Sequence, residues 1–140
     1  MSLESKTDVQ CPKCGHTQTV TIWRTLNADI SPDAREDLLA GRLNVFQCER
    51  CDCQVGLVVP LLYHDMGRQF MVQYHPFNAL DDPEFFRDYD SRGESVSAAK
   101  LSRMVAARVG MDYTARVHVV FHMSELVRYI VFRERLYAHH

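Results

Sequence analysis

Four cysteines fall into two pairs of identical spacing, Cys11-Pro12-Lys13-Cys14 and Cys48-Glu49-Arg50-Cys51. A two-residue spacer puts both thiols on one tight turn. Two such turns brought together supply four soft ligands, the set that tetrahedral zinc prefers. Pro12 fixes φ inside the first turn and Gly15 gives a permissive backbone just after it. Asp52 stands where Gly15 stands in the first pair, and Asp tolerates the left-handed region better than most residues. The expected ligands are Cys11, Cys14, Cys48 and Cys51, holding one Zn2+. A filled set of four thiolates leaves no open position for water, so the ion is expected to be structural.

Other uses of these thiols fit less well. Packing alone does not account for four cysteines at this spacing. A disulfide framework is disfavoured by the odd total of five cysteines, by a polar first ten residues with no apolar leader, and by a length that permits an ordinary core. A redox dithiol should open a helix after a strand, whereas Gly15 and the β-branched run Thr17 to Ile22 read as turn and strand. Cys53, two residues past Cys51, begins the outgoing strand and is expected to pack or to be a spare ligand rather than to do chemistry. His16 could replace a thiolate as ligand, an alternative disfavoured because the four thiolates already fill a tetrahedron.

The second candidate for chemistry is Tyr63-His64-Asp65. Imidazole titrates near neutrality, so His64 with Asp65 could act as base and orienter or as a metal ligand with its partner. The same residues also read as a hairpin turn, with Asp65-Met66-Gly67 supplying turn chemistry and His64 bonding the backbone across it. Neighbours on a strand face opposite ways, so a catalytic pair there needs a bend. His75, His118 and His122 are expected to be satisfied surface or core histidines, although His118 and His122 share a strand face.

The elements that position these residues follow from periodicity. Met1 to Val9 is polar and is expected to be a flexible arm, residues 1–9, ahead of a single domain over residues 10–137. Thr17 to Leu26 alternates as a strand, with Trp23 as core or sheet cover. Ser31-Pro32-Asp33 opens a short helix with a capping hydroxyl and Pro in its first turn; Ala34, Leu38 and Leu39 form its apolar side and Gly41 stops it. Asn44 to Gln47 and Gln54 to Leu62 flank the second cysteine pair as a hairpin. Val55 to Leu62 and Arg68 to His75 then form another, giving a mainly antiparallel sheet with Pro60 at an edge or strand end. Asp81, Asp82, Glu84, Asp88 and Asp90 surround Phe85, Phe86 and Tyr89 in an acidic aromatic loop, with a short helix expected over Pro83 to Arg87. Helical spacing recurs from Ser95 to Gly110, a strand is expected over Arg116 to His122, and Ser124-Glu125 opens a last helix.

Composition bounds the class. A chain of 140 residues is one domain by the usual prior and buries about two thirds of its unfolded surface. Hydrophobic residues make up 46% and charged residues 24%, as in an average globular protein. With a formal net charge of -2 there is no basic field to draw in phosphates, and no apolar run is long enough to span a bilayer. The expected address is the cytoplasm, where reduced thiols suit zinc.

CPKCGH, SPDAREDLLAGRLNVFQC, the second C-x-x-C and VVPLLYHDM, in that order, resemble the CpXC protein family over Gln10 to Met66, with a fainter echo over Arg116 to Arg133. The resemblance implies a metal site on Cys11, Cys14, Cys48 and Cys51 and supplies no reaction. Glu49, where the family commonly has proline, and the extra Cys53 depart from its pattern.

The expected fold is α+β, a zinc-ribbon-like antiparallel sheet with an inserted short helix and C-terminal helices. The expected function is a zinc-stabilised, non-enzymatic module that binds a protein partner. One alternative is an enzyme with its site at His64 and Asp65. A further one is a nucleic-acid-binding ribbon, which would need Arg103, Arg108, Arg116, Arg128, Arg133 and Arg135 to share a face.

Overall fold

The computed structural model describes residues 2–97, 100 and 112–140. Its main sheet contains β1 (Leu3–Gln10), β2 (Thr17–Asn27), β5 (Leu61–Asp65), β6 (Phe70–Tyr74) and β7 (His118–Val120), side by side in the order β1-β2-β5-β6-β7. Strands β3 (Val45–Gln47) and β4 (Gln54–Gly56) form a separate antiparallel pair. Helix α1 (Pro32–Leu39) follows β2, and a long helix α2 (Met123–His139) closes the chain. The α+β class is as expected.

The main sheet is antiparallel in its two longest pairings, as expected, and departs from the expectation only in two short parallel pairings. β1 pairs with β2 and β5 with β6 in antiparallel fashion, but β2 pairs with β5 and β6 with β7 in parallel. The connection from β2 to β5 is long and contains α1 and the β3/β4 hairpin, so it works as a crossover and returns the chain in the same direction. Val55 to Leu62 is accordingly not one strand: β4 ends at Gly56, and β5 starts at Leu61 directly after Pro60, which cannot donate to a ladder.

Residues 3–9, expected as a flexible arm, belong to an edge strand. β1 is exposed along its length except at Val9, and so carries none of the apolar alternation that would mark it. Its register runs from Leu3 opposite Thr25 to Gln10 opposite Thr17, and the hydroxyl of Thr19 donates to Asp8 across it at 2.8 Å. Glu4, Lys6 and Asp8 are charges of the kind that keep a free edge from pairing with other chains.

The core lies on one side of this sheet. Leu26, Leu61, Tyr63, Phe70 and Val72 from the strands meet Ala34 and Leu38 of α1 and Leu126 and Ile130 of α2, with Trp23 packed against them. Arg35 of α1 donates to Glu134 of α2 through Nε at 2.9 Å, which fixes the two helices to each other. The Ser31 hydroxyl does not cap α1, contrary to expectation; it bonds the Ser2 hydroxyl at 2.8 Å instead. Gly41 ends that helix at φ +76, a conformation costly for any side chain. At the head of α2 the cap is His122, whose Nδ1 accepts from the Ser124 N–H at 3.1 Å. The acidic aromatic segment forms two short 3-10 turns, Phe77–Asp81 and Phe85–Asp88. Most of the helix expected between Ser95 and Gly110 lies outside the described residues.

Candidate metal centre

Both cysteine pairs sit at hairpin ends. The first lies between β1 and β2, which close from Gln10 opposite Thr17, and the second between β3 and β4, which close from Gln47 opposite Gln54. In the first knuckle the Cys11 N–H donates to the His16 carbonyl at 2.8 Å, and the Gly15 N–H donates to the Cys11 carbonyl at 3.0 Å. Gly15 has φ +79, as its place after the turn demands. The second knuckle repeats the first of these bonds, with the Cys48 N–H donating to the Cys53 carbonyl at 2.9 Å.

The four sulfurs converge. Sγ of Cys11 lies 3.6 Å from that of Cys51, and Sγ of Cys14 lies 3.6 Å from that of Cys48. All four lie within 4.8 Å of one another, and no two cysteines are joined as a disulfide. Backbone N–H groups point at the sulfurs: Lys13 and Cys14 at Cys11 (3.4 and 3.5 Å), Arg50 at Cys48 (3.4 Å) and Cys53 at Cys51 (3.5 Å). Such donors favour thiolate over thiol. Cys53 stands outside the four-sulfur group.

Their electrostatics show how the cluster shares charge. Loss of solvent pushes the Cys11 thiol up, but the N–H groups of Cys14 and Lys13 and the Cys51 thiol outweigh it and hold Cys11 at about 6. For Cys51 the Cys53 N–H favours the thiolate. Desolvation and the neighbouring thiols of Cys48, Cys11 and Cys14 prevail, pushing it up to about 12. Thiolates this close cannot all ionise without a cation between them, and a bound metal ion supplies that charge. The residues present therefore fit a metal ion held by Cys11, Cys14, Cys48 and Cys51.

The floor under the sulfurs is apolar. Cys11, Phe46 and Cys48 are buried together, and Val9, Val20, Cys51, Cys53 and Leu57 pack around them. Cys14 lies at the exposed rim. Polar groups tie the two hairpins together. Gln18 donates from Nε2 to the Gln47 carbonyl at 2.7 Å and accepts at Oε1 from the Glu49 N–H at 2.9 Å. Deeper in, Asn44 accepts at Oδ1 from the Trp23 N–H at 2.8 Å and donates from Nδ2 to the Trp23 carbonyl at 2.9 Å. Its amide thus imitates a strand partner for β2 while its own backbone sits at φ 54. Neither Gln18 nor Asn44 stood out in the sequence, because a side-chain amide used in place of a ladder bond leaves no periodic signal.

Tyr63, His64 and Asp65 all lie on β5 but reach different partners. Tyr63 is buried in the core, where burial pushes its hydroxyl up. Nε2 of His64 lies 2.5 Å from Oη of Tyr113, and burial lowers this imidazole below its ordinary value. Asp65 accepts from the Arg68 N–H at 2.8 Å and from Nη1 of Arg68 at 3.0 Å, closing the turn between β5 and β6. Asp29 closes the same turn from outside by accepting from the N–H groups of Met66 and Gly67. His64 and Asp65 are thus not brought together as a pair. Of the other histidines, His75 bonds Oη of Tyr89 at 2.9 Å, and His118 stacks on Tyr129 with ring centroids 4.0 Å apart. Among the described residues no helix is long and apolar enough to cross a membrane.

No curated protein and no solved structure matches the chain. The family model described as CpXC protein matches residues 9–137.

Proposed function

The chain belongs to the CpXC protein family, and on that premise we propose that it is a zinc-stabilised, non-enzymatic module of reducing compartments such as the cytoplasm that binds a protein partner. The observation carrying this reading is the four-sulfur cluster. Thiolates about 2.3 Å from a tetrahedral zinc lie about 3.8 Å apart along the tetrahedron's edges, close to the 3.6 Å separations between Cys11 and Cys51 and between Cys14 and Cys48. Two knuckles on two hairpins, cross-linked by Gln18, make a zinc-ribbon arrangement. Four thiolates fill zinc's preferred coordination, so the ion would hold the hairpins rather than activate water.

The structure lends less support to the alternatives. An enzyme centred on His64 and Asp65 would need the two groups to converge, and instead His64 is engaged with Tyr113 while Asp65 closes the turn after β5. For nucleic acid, the arginine stripe divides: Arg133 lies over the Phe70 ring, 4.9 Å from its centroid, and donates to Tyr129. Arg128 and Arg135 face solvent on α2, while Arg103 and Arg108 lie outside the described residues. The test is metal removal followed by amide NMR and partner capture. Chelation should collapse the signals of residues 10–62 and abolish retention of the partner, with α2 keeping residual helix; a chelated protein with an unchanged spectrum would contradict the reading.

A further inference from the structure

Helix α2 buries one stripe, Leu126 and Ile130, and leaves another uncovered. Arg128, Val131, Phe132, Arg135, Leu136 and His139 recur at helical spacing and line a shallow recess of about 470 Å³. Phe132 is 56% exposed and Leu136 42%. Toward the head of the helix Arg128 also borders a second recess of about 490 Å³, walled by Leu39 of α1, Leu57 after β4, and Met123 and Val127. Arg128 lines both recesses, which together make up the trough beside α2.

The charges along the trough are of one sign. Arg35, Arg42, Arg68, Arg87 and Arg92 each have a carboxylate partner. Among the described residues Arg128 and Arg135 have none, and neither do Arg24, Arg50 and Arg116, but Arg128 and Arg135 are the two arginines that line the recesses. The chain is acidic overall at -2, so this strip is a cationic, apolar exception to it. A second copy is a poor occupant. Two α2 helices packed through this face, parallel or antiparallel about Phe132, would set arginines against arginines. A bilayer is flat and cannot fill the recess between α1, β4 and α2.

We propose that this trough binds an acidic amphipathic segment of a partner protein, with apolar side chains entering the recess beside Met123 and Val127 and carboxylates meeting Arg128 and Arg135. The two arginines stand seven positions apart on the helix, about 10.5 Å along the axis. Matching carboxylates would stand about seven residues apart in a helical partner, or about three apart in an extended one. This rests on the binding-module reading and names its surface.

The test is selection of a displayed library of random 16-residue peptides on the zinc-loaded chain, with Phe132→Asp and the double variant Arg128→Glu/Arg135→Glu as parallel baits. Zinc content and circular dichroism are recorded for each bait, so failure of the zinc reading shows there and failure of the trough shows in the selection. The expected result is enrichment of acidic peptides with apolar anchors, whose binding by fluorescence anisotropy falls at least tenfold on either folded variant and weakens with salt. The proposal is overturned if nothing is enriched, if enriched peptides lack carboxylates, or if they bind the variants as tightly as the parent. It is equally overturned if Phe132→Asp abolishes self-association seen by ultracentrifugation, or if the parent binds phosphatidylserine vesicles more tightly than the peptides.

Discussion

Nζ of Lys13 lies 2.6 Å from Oδ1 of Asp52, so a residue inside the first knuckle is tied to the residue just past the second. His16 and Glu49 approach across the other side of the centre at 3.8 Å. Both pairs reach the surface and are open to screening, so they trim the closure of the knuckles rather than hold them shut. Asp52→Lys places two ammonium groups face to face. The variant should still take up metal but surrender it faster to a chelator at low salt, and the difference should shrink at high salt. Equal release rates at both salt levels would show that the pair contributes nothing to closure.

Cys53 and Cys51 should behave differently although two residues apart. Cys53 packs beside Cys11, Phe46 and Cys48 but lies outside the four-sulfur group, so Cys53→Ser should keep one zinc per chain at the modest cost of a small half-buried residue. Cys51→Ser should lose the metal or weaken it strongly. Chromophoric chelator titration of both variants decides this, and equal zinc retention would mean that Cys53 can replace a ligand.

Asn44→Ala should be among the costlier polar substitutions. It removes two bonds to the Trp23 backbone and puts alanine at φ 54, which together should cost about 2–4 kcal/mol. Asn44→Gly removes the bonds and relieves the backbone, so the difference between the two in chemical denaturation measures the conformational part. Similar stability for parent and alanine variant would contradict the strand-partner role.

Acid should destabilise the fold through its histidines. Burial lowers His64, His75 and His118 below the ordinary imidazole value of 6.5. The unfolded chain therefore takes up protons first as pH falls, and stability should be level above about 6.5 and decline below it. His64→Gln loses the Tyr113 contact, costing about 1 kcal/mol at pH 8, and should also make the decline between pH 6.5 and 5 shallower. The parent shares its metal site with the variant, so the difference in slope reports the imidazole. Parallel curves would sink this account of His64.

How much was legible depended on whether the signal was chemical or periodic. The four-cysteine group was readable because thiol spacing and turn residues are local, and the structure brings its sulfurs within 4.8 Å of one another. The hairpin around Cys48 and Cys51, α1 and α2 carried apolar periodicity. β1 did not, because neither of its faces is buried. The parallel pairing of β2 with β5 was hidden too: the strand ends at Asn27 and resumes at Leu61, and nothing local encodes which neighbour a strand returns to after a crossover. Tyr63-His64-Asp65 looked chemical because its residue types are, yet on β5 they go to separate uses: Tyr63 fills the core, His64 meets Tyr113 and Asp65 closes the turn to β6.

Elemental analysis of the purified chain, coupled to a chelator titration, addresses the central claim most directly. One zinc per chain, lost together when any of Cys11, Cys14, Cys48 or Cys51 is changed to serine and accompanied by unfolding of the two hairpins, is the predicted result. A metal-free chain that is fully folded, with the same four cysteines joined as two disulfides, would contradict it.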